Sequence, residues 1–155
     1  MEQRVILLVE DNADDEELTK RAFRHNKISN PIVVARDGVE ALDYLLPNGT
    51  AAADRPPVAP QIVLLDLKLP RIDGLEVLRR LRSDARTSLV PVVILTSSAE
   101  DEDVIESYRL GANAYVRKPV DYERFLEAAK QLGMFWLLVN RPPPTAESPK
   151  KPTRT

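Results

Sequence analysis

The sequence predicts an α/β fold, a doubly wound five-stranded parallel sheet carrying five helices. Three observations predict it. Five short runs rich in β-branched residues recur along the 155 residues. The runs are unbroken rather than alternating, as strands covered on both faces are. Between them lie helix-like stretches opened by capping residues. Strict alternation of the two element types implies right-handed crossovers, which place helices on both sides of the sheet.

The first run, 5–9 (VILLV), leads into EDNADDEE at 10–17. Asn12 is placed to cap a helix there, and acids in the first turn suit the positive end of the helix dipole. The second run, 32–35 (IVVA), is followed by Asp37 and Glu40 at capping-box spacing. The third, 62–65 (IVLL), precedes Asp73 and Glu76 at the same spacing. After the fourth, 92–95 (VVIL), Ser98 and Asp101 form a weaker version of that box. The fifth, 114–116 (AYV), is followed by Asp121, a cap for a last helix over roughly 121–139. Tyr122, Phe125, Leu126, Ala129, Leu132, Trp136 and Val139 recur there at three- and four-residue steps and make one apolar stripe.

Length and composition fit one domain, expected over 1–140. Residues 46–60 (LPNGTAAADRPPVAP) lack periodicity and read as an exposed loop insertion. Residues 141–155 read as a disordered tail, too short for a further output domain. The net charge of −2 argues against non-specific nucleic-acid binding, which needs a basic face. With no cysteine, disulfides and thiolate chemistry are excluded. The apolar runs are too short for a signal peptide or a membrane span, so a cytoplasmic protein with neither membrane nor nucleic-acid partner is expected. His25, on a polar helical stretch, is expected at the surface.

Ligands of doubly wound sheets collect at the carboxyl ends of the strands. Glu10 and Asp11 follow the first run, Asp66 the third, Thr96 the fourth and Lys118 the fifth. Parallel packing brings these side chains to one edge. Three carboxylates there repel and raise one another's pKa. A hard dication such as Mg2+, which prefers oxygen ligands, would neutralise them. A lysine beside the cluster adds the positive charge that a phosphoryl group requires.

The motifs VEDN (9–12), LLDLKLPRIDGLEVL (64–78), ILTSS (94–98) and YVRKP (115–119), in this order, resemble the receiver domains of two-component signalling. The likeness runs from about Arg4 to Val139. It implies the flavodoxin-like strand order 2-1-3-4-5. It implies Asp66 as the acceptor of a phosphoryl group from a histidine kinase. Asp11 would be a direct Mg2+ ligand, Glu10 a helper mostly through water, and the backbone carbonyl of Lys68 a further ligand. Thr96 and Lys118 would hold phosphoryl oxygens, and Tyr115 would swing inward as Thr96 moves. The resemblance also suggests a cis Lys118–Pro119 bond. Such a domain is a switch rather than an enzyme, and its output is protein binding.

EDN, LLDLKLP and the ending LGMFWLLVNRPPP are similar to stand-alone regulators paired with bacterial phytochromes, so a phytochrome kinase is an expected partner. Phe135 and Leu138 lie off the main stripe, so the last helix and its C-terminal end are a candidate homodimer face. Ser97, and Lys68 near the pocket mouth, depart from the commonest receiver pattern and bear on phosphoryl lifetime. Two other classes fit poorly. An aspartyl-phosphate hydrolase wants an acid where Lys68 stands, and a flavodoxin-like cofactor binder would not place EDNADDEE against a phosphate. A receiver-like adaptor or dimerisation module that is never phosphorylated remains the alternative.

Overall fold

The computed structural model describes residues 4–47 and 59–144. The strands are β1 (Ile6–Val9), β2 (Ile32–Ala35), β3 (Ile62–Leu65), β4 (Val92–Thr96) and β5 (Ala114–Arg117). The helices are α1 (Ala13–His25), α2 (Gly38–Leu45), α3 (Gly74–Ser83), α4 (Asp101–Arg109) and α5 (Tyr122–Gly133). All pairings are parallel, and the order is β2-β1-β3-β4-β5. The expected fold and strand order are both present.

Each apolar run splits by parity, because successive side chains of a strand point to opposite faces. Leu7, Val9, Val63, Leu65, Val92 and Ile94 meet Ala41, Leu42 and Leu45 of α2 and Val77, Leu78 and Leu81 of α3. Ile6, Leu8, Ile62, Leu64, Val93 and Leu95 meet Ala22 and Phe23 of α1 and Ala129 and Leu132 of α5. Each buried Val, Leu, Ile or Phe among them stabilises by about 1.5–3 kcal/mol relative to exposure. Burial on both faces holds for β1, β3 and β4, whereas the edge strands β2 and β5 are only half-buried over most of their length. An edge has one neighbour, so its side chains are covered less well.

Four helices carry the predicted caps. Asn12, Asp37, Asp73 and Asp121 accept from the backbone N–H of Asp15, Glu40, Glu76 and Arg124 respectively. Ser98 does not cap α4. The helix begins at Asp101 after Glu100 with no side-chain cap, and the Ser98 hydroxyl instead donates to Asp103.

The last helix also differs. It is α-helical to Gly133, and Met134–Val139 continue as a π-helix. The Asn140 N–H accordingly reaches back five residues to the Phe135 carbonyl, at 2.6 Å. The wider turn shifts the phase of the stripe, so Val139 faces outward while Phe125, Ala129 and Leu132 are buried. Tyr122, at the other end of the stripe, is likewise exposed.

Of the 46–60 loop, 48–58 lie outside the described residues, as do 145–155 of the tail. Arg4 donates to the carbonyls of Ala59 and Pro60, and the Gln61 N–H to Val5. This end of the insertion therefore sits beside the amino ends of β1 and β3, away from their carboxyl ends. Among the described residues, no helix is long and apolar enough to cross a membrane.

Candidate functional site

Sheet register builds the site. Val9 pairs with Leu65, so the next residue on each strand, Glu10 and Asp66, emerges at the same level. The Asp66 N–H donates to the Val9 carbonyl at 3.1 Å and that of Glu10 to Ala35 at 2.9 Å. Thr96 ends β4, and the Lys118 N–H donates to its carbonyl at 2.6 Å, which carries the lysine alongside. Gly74 closes the loop behind Asp66. A Cβ there would lie 2.2 Å from the Asp66 carbonyl oxygen, so only glycine permits this approach of α3.

All five predicted strand-end side chains fall in one place. Glu10, Asp11 and Asp66 each offer an oxygen within 4.8 Å of the others. Thr96 Oγ1 donates to Asp66 Oδ1 at 2.8 Å, and the Lys68 N–H donates to the same oxygen at 3.2 Å. Lys118 Nζ lies 2.5 Å from Glu10 Oε1 and 2.8 Å from Asp66 Oδ2. Glu10, Asp66, Thr96 and Lys118 are buried, whereas Asp11 is exposed. One residue that the sequence did not single out joins them: Asp15 Oδ2, from the first turn of α1, lies 2.9 Å from Lys118 Nζ.

The Lys68 side chain is outside the cluster, at the mouth, 70% exposed and 3.8 Å from Asp103. Asp103 also accepts from Ser98 Oγ at 2.5 Å. Tyr115 is half-buried, and its hydroxyl donates to the Ser98 carbonyl at 2.9 Å. Burial is the main cause that raises its pKa. Ser97 and His25 are exposed. No described peptide bond is cis, so the cis Lys118–Pro119 bond suggested by the resemblance is not found.

The electrostatics correct one expectation. Mutual repulsion does not raise all the carboxylates. Burial pushes Glu10 up to about 7, partly opposed by Lys118. Burial also acts to raise Asp66, but the Lys118 ammonium and the Thr96 hydroxyl outweigh it and leave the carboxyl below its ordinary value. Lys118 is desolvated too, yet its carboxylate partners hold it charged, with its pKa raised. The buried lysine thus offsets much of the acidic charge.

The donor set is hard and all oxygen, with one exposed carboxylate giving access. It suits Mg2+ or a similar dication, which Glu10, Asp11 and Asp66 would hold. Metal binding competes with the proton on Glu10. We therefore expect Mg2+ affinity about tenfold weaker at pH 6 than at pH 8, as the fraction of ionised Glu10 falls. Calorimetric titration of native protein and Glu10→Gln checks this. The variant should flatten the profile, and a flat native profile would contradict it.

Comparison with known proteins agrees with this geometry. Residues 6–130 match the family described as the response regulator receiver domain. The bacteriophytochrome response regulator AtBRR is 51% identical, with a TM-score of 0.70 over 91% of this chain and 100% of that one. The phosphorylated cyanobacterial phytochrome response regulator RcpA is 35% identical, with a TM-score of 0.84 over 92% and 99%. Response regulator Rcp1 of Synechocystis sp. is 35% identical over 134 residues, covering 86% of this chain and 89% of its own. The Mn2+-bound form of Rcp1 gives a TM-score of 0.83 over 91% and 99%, at 34% identity. These likenesses, with the topology and the acidic triad, show that the chain belongs to the response regulator receiver domain family, a signalling module with Glu10, Asp11 and Asp66 positioned for divalent-cation-assisted phosphoacceptance.

Proposed function

We propose that Asp66 accepts a phosphoryl group from a sensor histidine kinase, with Thr96 and Lys118 holding phosphoryl oxygens. The observation that carries this is the meeting of Thr96 Oγ1 and Lys118 Nζ on the two oxygens of one buried carboxylate. An Asp66 oxygen attacks phosphorus, the P–N bond of the donor phosphohistidine breaks, and the imidazole keeps the bonding pair. Such transfer asks a protein mainly for positioning and charge neutralisation. A bound dication, held by Asp11, Asp66 and the Lys68 carbonyl with Glu10 helping through water, would offset the charge of the carboxylate and the phosphoryl oxygens.

Output follows from the change in acceptors. Thr96 and Lys118 leave the carboxylate for phosphoryl oxygens, and each charge-assisted hydrogen bond contributes about 1.5–3 kcal/mol. Because these bonds replace ones already made to the carboxylate, only their difference acts, and moving a two-state surface from 1:99 to 99:1 takes about 5.5 kcal/mol of such difference. Tyr115, held by the Ser98 carbonyl, turns inward as Thr96 moves. The receiver unit spans 1–140 and works in the cytoplasm.

A phytochrome kinase is the proposed donor, supported by the likeness to AtBRR and RcpA. Phosphotransfer from a purified phytochrome kinase and from an unrelated histidine kinase tests it. Faster labelling by the first is expected. Equal rates, or equal failure with both, would remove the pairing.

A homodimer through α5 and the π-helix that continues it is supported by exposed Phe135, Leu138 and Val139. Beside them an apolar groove of about 380 Å³ is lined by Val116, Ala128, Leu132 and Trp136 among others. Sedimentation at high micromolar concentration should give a two-subunit mass that Leu138→Glu halves. A monomeric native protein would contradict the dimer.

A further inference from the structure

Lys118 has three N–H donors and three carboxylate neighbours: Glu10 Oε1 at 2.5 Å, Asp66 Oδ2 at 2.8 Å and Asp15 Oδ2 at 2.9 Å. Glu10 and Asp66 belong to the group that could hold a metal ion, and Asp15 does not. A cation therefore draws on two of the lysine's three partners, and acyl-phosphate formation converts one of those two. Asp15 alone is untouched by either event. We propose that Asp15 is the positioning residue for Lys118 during acyl-phosphate formation, an inference that rests on the phosphoacceptor reading of Asp66.

The local structure is built for it. Asp15 occupies the third position of α1, where an acid ordinarily reaches back to the N–H of the cap residue. Here that N–H, on Asn12, is bonded by Glu10 Oε2 at 3.2 Å. The Asp15 carboxylate is thereby released to cross to the loop after β5. Its own backbone is pinned at both ends, its N–H by Asn12 Oδ1 at 3.0 Å and its carbonyl by the Thr19 hydroxyl at 2.8 Å. Its side chain is 25% exposed, so the contact is largely shielded from water. An unrestrained lysine spreads over many rotamers, and a fixed anion on its far side selects the one that faces Asp66.

Acetyl phosphate with saturating Mg2+ gives the test, read as the rate of acyl-phosphate formation by intact mass on the full chain. An Asp66 oxygen attacks phosphorus, the P–O bond to acetate breaks, and acetate leaves with the bonding pair, so no further reactant is needed. Asp15→Ala should slow the reaction about tenfold, the loss of one charge-assisted hydrogen bond. Asp15→Asn, which keeps an acceptor oxygen, should slow it only about threefold. In a Lys118→Ala background Asp15→Ala should cost nothing more.

A native rate in Asp15→Ala would overturn the proposal, as would the same tenfold loss in both backgrounds, which would mark a general effect on α1. If Lys118→Ala does not fold, the Asn and Ala variants decide: a faster Asn variant supports positioning through Lys118, and equal rates overturn it. A native chain that gains no phosphoryl group overturns the phosphoacceptor reading itself, an outcome distinct from a failure of Asp15 alone.

Discussion

Lys118→Ala should lower the stability of the cation-free protein by about 3–5 kcal/mol, the cost of leaving buried ions without their partner. The side chain is 7% exposed and faces Glu10, Asp15 and Asp66. Glu10 and Asp66, themselves buried, would lose the ammonium that pairs with them. Two responses soften the loss. Glu10, already raised to about 7 by burial, takes up a proton more readily without Lys118, so the deficit should shrink at acid pH. Mg2+ binds the folded state and restores stability by mass action. Urea unfolding of both proteins at pH 8, in chelator and in Mg2+, measures the effect. A variant midpoint equal to the native one in chelator would show that the lysine does not balance the cluster.

The native protein carries a related pH dependence. Glu10 has a folded pKa above its ordinary value, so the folded state binds more protons than the unfolded one between about 4.5 and 7. The stability contributed by this group is fully present below 4.5 and is lost as pH rises through 7. An added dication reverses that trend by occupying the ionised cluster.

Much of the fold was legible because strands buried on both faces write themselves as unbroken apolar runs. The runs at 32–35 and 62–65 coincide with β2 and β3, and the other three differ only by a residue at one end. Caps were legible for the same local reason, since an Asn or Asp side chain bonds an N–H three residues ahead. Ser98 misled because its hydroxyl had a competing acceptor, Asp103, that spacing alone does not reveal. The π-helix at Met134–Val139 was not legible either. An apolar run such as MFWLLV carries no phase of its own, so the stripe was continued at α-helical pitch.

The site divides the same way. Glu10, Asp11, Asp66, Thr96 and Lys118 could be found because strand ends of a doubly wound sheet share an edge. Asp15 could not, since an acid in a first helical turn already has an ordinary explanation in the helix dipole. What distinguishes it is a contact 103 residues away. The protonation pattern was misread because proximity was weighed and burial was not. Repulsion among the acids is real, but desolvation of Glu10 and the ion pair of Asp66 with Lys118 are larger.

Asp66→Asn should abolish phosphoryl acceptance outright while leaving the fold intact. Asn matches Asp in shape and keeps an oxygen for Thr96, but its amide is not a nucleophile that can carry an acyl phosphate. Glu10 cannot substitute. It meets Lys118, and burial raises its carboxyl to about 7, so in the absence of a cation about half of it is protonated at neutral pH. Asp11 is exposed, and the Thr96 hydroxyl donates to Asp66. Intact mass spectrometry after incubation with acetyl phosphate and Mg2+ decides the matter. Native chain should gain one phosphoryl group, lost in chelator and absent from Asp66→Asn. A native chain that stays unmodified, as an adaptor would, or an Asp66→Asn chain that gains the group, would contradict the assignment.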